Sequence, residues 1–184
     1  MRIIAGALRG KKLFSVSGTQ TRPTADRLRE AIFNILSFRV QDAVVLDLFS
    51  GTGALGIEAL SRGSRFAVFI DSSNRALACI SRNIKACAFE KKARIIKWDI
   101  TKNLDCVKGA RPAFDLVLMD PPYDRNSIAP ALAHLYRSDC LKSDARIVVE
   151  HSLLEPVDPQ PGAYIVCDHR KYGKTLVSIL SYVV

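Results

Sequence analysis

Apolar runs alternating with segments of helical periodicity constrain the fold of this chain more than any other feature. Strand candidates are 43–48, 66–71, 94–98, 114–119, 145–150, 163–168 and 175–183, several of them near-continuous apolar runs of the kind buried on both faces. Helix candidates at 53–62, 73–88 and 126–138 fill the gaps. The second has Ser72 or Ser73 as its cap and carries Ala76, Leu77, Ile80 and Ile84 on one side. Strict β–α alternation predicts an α/β fold with a doubly wound, mostly parallel sheet of about seven strands. Ahead of it, residues 1–18 read as a short β-hairpin anchored by Ile3-Ile4 and Leu13-Phe14, with Gly6, Gly10 and Gly18 as turn residues. A helix follows, on which Leu28, Ala31, Ile32, Ile35 and Leu36 recur at helical spacing. Residues 1–40 are therefore expected to form an extension packed on a core domain spanning 41–184.

At 184 residues the chain fits one domain with a full hydrophobic core and leaves no room for a second large one. Its opening apolar patch is too short, and too interrupted by Arg9, for a secretory signal, and no run approaches membrane-spanning length. The expectation is a cytoplasmic protein without a membrane partner. Five cysteines, an odd number without a CxxC pair, predict reduced thiols rather than a disulfide framework. The three histidines are scattered and only Cys167-x-His169 approaches ligand spacing, so no metal site is expected.

The net charge is +9, unevenly spread. Arg2, Arg9, Lys11, Lys12 and Arg22 all precede the first acid, Asp26, and Arg170, Lys171 and Lys174 surround Tyr172 and Gly173 near the end. Such a balance favours a polyanionic partner held with salt-dependent affinity.

Two loops carry the chemistry. The first, Asp47-Leu48-Phe49-Ser50-Gly51-Thr52-Gly53-Ala54-Leu55-Gly56, joins the first core strand to the next helix and satisfies GxGxxG; Asp71 ends the following strand 20 residues beyond Gly51. Glycines there permit close backbone approach to a nucleotide-type cofactor, and an acid at the end of the second strand accepts hydrogen bonds from ribose hydroxyls. Asp47 favours S-adenosylmethionine over a dinucleotide, because a carboxylate beside the loop complements ammonium and sulfonium charges better than pyrophosphate. Asp99, after the third core strand, stands either where it could meet an adenine amino group or where it caps the turn before Thr101.

The second loop is Asp120-Pro121-Pro122-Tyr123, directly after the apolar run 114–119. Proline fixes its own φ, lacks an N–H and pushes the preceding residue toward extended geometry. The result is a rigid rim with acceptors, a stacking face and almost no donors. An exocyclic base amine brings two N–H donors: the Asp120 carboxylate could take one and the Pro121 carbonyl the other, while Tyr123 stacks on the ring. In a doubly wound sheet of order 3-2-1-4-5, ligands bind outside the strand carboxyl ends at the switch point between strands 1 and 4. The glycine loop ends strand 1 and the Asp-Pro-Pro-Tyr rim ends strand 4, so cofactor and base would share one crevice.

These segments resemble the RsmD-type methyltransferases, which methylate the N2 amine of a guanine in bacterial small-subunit (16S) ribosomal RNA. The resemblance rests on Arg2-Ile3-Ile4-Ala5-Gly6 with Arg9-Gly10, Thr21-Arg22-Pro23-Thr24 with Asp26-Arg27 and Arg29-Glu30, the stretch from Asp47 to Glu58, Asp120 to Tyr123, and Arg170-Lys171-Tyr172-Gly173-Lys174-Thr175. It implies a Rossmann-like S-adenosylmethionine-dependent domain. It further implies that Asp47, Ser50, Gly51, Gly53, Asp71 and Asp99 contact the cofactor, that Asp120, Pro121, Pro122 and Tyr123 hold the guanine, and that Arg22, Thr24 and Arg27 lie over cofactor or target nucleotide. From charge placement alone, Lys11, Lys12, Arg170, Lys171 and Tyr172 are expected to clamp ribosomal RNA, free or in a small-subunit particle, on a monomeric enzyme. Read from the residues alone, amino-methylation of DNA, a small NAD-dependent oxidoreductase and a non-catalytic RNA-binding module stay open.

Overall fold

A computed structural model describes residues 1–16, 23–158 and 162–184, with only the backbone of residues 23–25. Seven strands form one sheet: β1 (Val44–Leu48), β2 (Phe66–Asp71), β3 (Ala93–Lys97), β4 (Phe114–Met119), β5 (Leu141–Ser152), β6 (Tyr164–Tyr172) and β7 (Thr175–Tyr182). The helices are α1 (Pro23–Leu36), α2 (Ala54–Ser61), α3 (Asn74–Ala86) and α4 (Ile128–Arg137).

Strand order is β3-β2-β1-β4-β5-β7-β6, with β1 to β5 parallel and β7 antiparallel to both its neighbours. The first five positions match the order expected from the alternation. Placement of β7 between β5 and β6 does not follow from it, because both late strands belong to a tight hairpin, turned at Gly173 with φ 65°, that folds back as a unit. Strand β6 also runs four residues past the apolar run at 163–168. As an edge strand paired only with β7, it exposes much of its length to solvent and so carries Asp168, His169, Arg170 and Lys171.

Because side chains alternate along a strand, the sheet builds two cores. One face carries Leu46, Leu48, Val117, Met119, Ile147 and Val149 against α4 and the segment 100–107. The other carries Val45, Leu116, Leu118, Val148, Val177 and Ile179 against α1, α2, α3 and the N-terminal segment. Tight packing on this second face explains Gly56: a Cβ there would sit 2.4 Å from the Phe69 ring and 2.9 Å from the Asp47 carboxylate.

The first 16 residues form a looser structure than a hairpin of two regular strands. A single bridge joins Arg2 and Lys12, supported by backbone bonds from Ile3 to Lys11, Gly10 to Ile3 and Leu13 to Met1. The rest of the segment is laced onto α2. The fully buried Glu58 carboxylate accepts the Ile4 and Ala5 N–H groups at 2.8 and 3.0 Å and the Arg62 guanidinium at 2.8 Å. Arg29 of α1 stands 3.6 Å from the same carboxylate and also bonds Asp26 and the Arg2 carbonyl. Gly6 lies so close to α2 that a Cβ would overlap the Ser61 carbonyl. Two apolar anchors, Ile3 and Leu13, are buried in the second core.

Candidate active site

The register of the two central strands brings the chemical loops together. Leu48 pairs with Met119 as the last partners of β1 and β4, so the glycine loop and the Asp-Pro-Pro-Tyr rim leave the sheet side by side. Ile70 pairs with Leu48 on the other flank, setting Asp71 next to the loop.

The glycine loop is shaped by a small set of bonds. Gly51 and Gly53 hold φ values of 57° and 76°, a left-handed region that costs glycine little. The Ser50 hydroxyl donates to the Asp47 carbonyl at 2.6 Å and accepts from the Ile70 N–H at 2.9 Å, joining the loop to β2. The Asp71 carboxylate accepts the Gly51 N–H at 2.9 Å and the Ser73 N–H at 2.8 Å. Asp47 is buried and accepts the Gly56 N–H at 2.9 Å. Burial pushes its carboxyl well above the usual range, with the Gly56 bond opposing and the Asp71 charge adding. An acid-lined turn with two left-handed glycines fits the ammonium and sulfonium charges and the nucleoside of S-adenosylmethionine.

At the end of β3, Asp99 is half-buried and bonds the Thr101 N–H at 3.1 Å and its hydroxyl at 2.6 Å. The Thr101 hydroxyl bond is the main cause of its lowered carboxyl pKa. Asp99 thus forms the turn cap before Thr101, and it also lines a 410 Å³ cavity with Ser72 and Trp98. Trp98 is fixed by its indole N–H, which reaches Asn103 at 3.1 Å.

On the rim, neither the Asp120 carboxylate nor the Pro121 carbonyl has a donor among the described residues. Asp120 is open to solvent on one side. The protein around its other sides, and then the charges of Glu150 and Asp47, push its carboxyl well above the ordinary 3.8. Pro121 is buried and Pro122 exposed. Tyr123 is 41% exposed, and its hydroxyl donates to Glu150 Oε1 at 2.7 Å, with Thr175 Oγ1 at 3.2 Å. Burial pushes the phenol above its ordinary 10, so Tyr123 stays a donor. Burial raises Glu150 as well, against the pull of the Tyr123 bond.

The basic residues are more dispersed. Lys11, Lys12, Arg27 and Lys171 are exposed, and Arg27 lines a 470 Å³ notch with Arg2, Arg9, Asp26 and Glu30. Arg170 is paired with Asp168 of its own strand at 3.0 Å, and Tyr172 packs against the second core. Arg22 lies outside the described residues, as does the side chain of Thr24. Among the described residues no three His, Cys, Asp or Glu side chains group as metal ligands, and no helix is long and apolar enough to cross a membrane.

Three contributors escaped sequence reasoning. Glu150 and Thr175 hold Tyr123, and Asn83 of α3 bonds Phe14 N–H at 2.7 Å, Phe14 O at 3.0 Å and Thr52 O at 2.9 Å, tying the N-terminal segment to the glycine loop. A single acid closing the apolar run 145–150 was the available signal for Glu150.

Sheet order, glycine loop and rim define a class I methyltransferase. The model of the family described as Conserved hypothetical protein 95 matches residues 1–181, and the chain belongs to that family, the RsmD family, whose cofactor is S-adenosylmethionine. Ribosomal RNA small subunit methyltransferase D of Haemophilus influenzae is 35% identical over 161 residues, covering 85% of this chain and 81% of the relative. Its counterpart of the same name from Escherichia coli K12 is 35% identical over 150 residues, 82% and 74% of the two chains. Among solved structures, "Putative methyltransferase yhhF" from Escherichia coli superimposes with a TM-score of 0.88 at 28% identity, covering 100% of this chain and 98% of that one.

Proposed function

We propose that this protein methylates the N2 amine of a guanine in small-subunit ribosomal RNA. The observation that carries the proposal is a pair of acceptors without donors among the described residues, Asp120 and the Pro121 carbonyl, at the end of β4 beside the glycine loop of β1. Relatives named as small-subunit ribosomal RNA methyltransferases support the RNA as target. The net charge of +9 suits a polyanion.

S-adenosylmethionine, when bound, supplies an electrophilic methyl carbon on a sulfonium centre. The residues of this chain do the rest. Asp47 and the glycine loop would hold the amino-acid end, Asp71 the ribose hydroxyls and Asp99 the adenine amino group. Asp120 and Pro121 take the two N–H groups of the target amine, which fixes the nitrogen and turns its lone pair toward the cofactor side of the cleft. The two prolines keep those acceptors from collapsing onto local donors. Tyr123, its hydroxyl tethered to Glu150 and Thr175, offers its ring to a base splayed from the RNA. The proton shed by the amine has an acceptor at Asp120 Oδ, whose raised proton affinity suits that task.

Methyl transfer from labelled cofactor to undermethylated small-subunit particles, followed by mapping of the modified nucleotide, tests the reading. The expected product is an N2-methylguanine, and Asp120→Ala should lower turnover at least about a hundredfold. Label appearing in duplex DNA with particles left blank, or near-normal turnover by Asp120→Ala, overturns it.

A further inference from the structure

The geometry points to Glu150 as the residue that selects guanine over adenine and cytosine, by accepting the ring N1–H beside the reactive amine. The inference deepens the function proposed above and rests on it.

Strand register supplies the first step. Leu118 pairs with Val148 and Met119 with Val149, so one further residue sets Asp120 next to Glu150 across β4 and β5. Side chains two apart share a face. Asp120 thus follows Leu118, and Glu150 follows Val148, on the sheet face that α1 and the N-terminal segment cover lower down. Asp47, following Val45 on β1, lies on that face too, and the charges of Glu150 and Asp47 both bear on Asp120. Acids from three adjacent strands therefore stand on one face near the top of the sheet, Asp120 level with Glu150 and Asp47 lower, opposite Leu118. Asp47 is committed to the Gly56 N–H on the cofactor side. Glu150 stands on the side away from the cofactor loop.

The second step is what Glu150 is bonded to. Its Oε1 takes the Tyr123 hydroxyl at 2.7 Å, which orients the carboxylate, and its Oε2 has no donor among the described residues. Tyr123 is also the proposed stacking ring, so a base lying on it brings its Watson–Crick edge to Asp120 and Glu150. With the exocyclic amine on Asp120 and Pro121, the neighbouring ring nitrogen meets Glu150.

The third step is the chemistry of that edge. Guanine carries N1–H, a donor, beside its 2-amino group. Adenine presents N1, and cytosine N3, as bare acceptors beside their amino groups. Against a carboxylate acceptor, guanine gains a charge-assisted hydrogen bond, whereas adenine and cytosine place two lone pairs against each other. Rejection by an unpaired, partly desolvated polar group discriminates more strongly than any difference in ring shape. Asp120 and Pro121 recognise an amine, and Glu150 recognises which base bears it.

Two base analogues built into the target position of a reconstituted small-subunit particle test this. In 1-deazaguanine the N1–H becomes C–H while the 2-amino group and O6 remain; the wild-type enzyme should lose at least about a hundredfold in kcat/KM on it. In 2-aminopurine N1 is an acceptor. Glu150→Gln, which can donate an amide N–H to that nitrogen, should narrow the preference for guanine over 2-aminopurine at least about tenfold, mainly by losing activity on guanine. Equal wild-type activity on guanine and 1-deazaguanine overturns the assignment. So does a Glu150→Gln enzyme that loses activity on both bases in the same proportion, the result expected if Glu150 merely props Tyr123. If the wild type methylates no 2-amino group on the guanine particle, the function proposed above fails and this assignment falls with it, a result distinct from methylation without N1 discrimination.

Discussion

Asp120 holds a carboxylate against two neighbouring acids with no donor among the described residues, and the fold bears a cost for that arrangement. A carboxyl whose pKa rises on folding keeps its proton more tightly in the folded state than in the unfolded chain. Stability is therefore lost as pH climbs from the ordinary 3.8 toward the raised folded value, and the penalty is full above it. Asp120→Asn removes this burden. Without cofactor, its unfolding midpoint at pH 7 to 8 should exceed that of the wild type by about 2–4 °C, a modest gain because Asp120 is partly open to water. The gap should close as pH falls toward 4; thermal unfolding followed by circular dichroism across that pH range checks it. The rim and the glycine loop were legible in the sequence because their chemistry belongs to residue type and spacing. Glu150 and Glu58 were not, since a lone acid within or at the end of an apolar stretch reads as an interruption until register and helix packing show what it faces.

The alternation that foretold β1 to β5 and their helices works because parallel strands covered on both sides must be apolar on both sides. It failed where burial is one-sided. Strand β6 looks like a loop beyond Asp168 because its solvent face carries the basic segment, and the opening residues look like two strands because the apolar pairs Ile3-Ile4 and Leu13-Phe14 flank turn glycines, although a single bridge forms among the described residues. What holds those opening residues is Glu58, a buried carboxylate with two backbone donors and a guanidinium. Glu58→Ala leaves these donors without an acceptor and should destabilise the fold by about 3–5 kcal/mol. A lowered urea midpoint would show the loss, with Glu58→Gln falling between the variant and the wild type.

Over the whole molecule, the excess of positive charge is carried at the front and tail of the chain, while the cleft between β1 and β4 is acidic. Cationic cofactor and anionic RNA would thus be drawn to separate territories. Neutralising Lys11, Lys12, Arg170 and Lys171 together should weaken binding of ribosomal RNA and flatten its dependence on salt while sparing S-adenosylhomocysteine affinity. Parallel titrations between roughly 50 and 200 mM salt measure both. Arg170 should contribute least of the four, since Asp168 already pairs with it. The sequence showed these charges and could not show that pairing, which depends on strand β6 extending through both residues.

Asn83 binds the backbone of Phe14 with one end of its amide and shares the other between Phe14 and Thr52. A ligand steadying the turn at Thr52 would consequently be felt at Phe14, and one settling the opening segment would be felt at Thr52 by the same free energy, since such coupling is reciprocal. One carboxamide thereby makes the opening segment and the glycine loop a single mechanical unit.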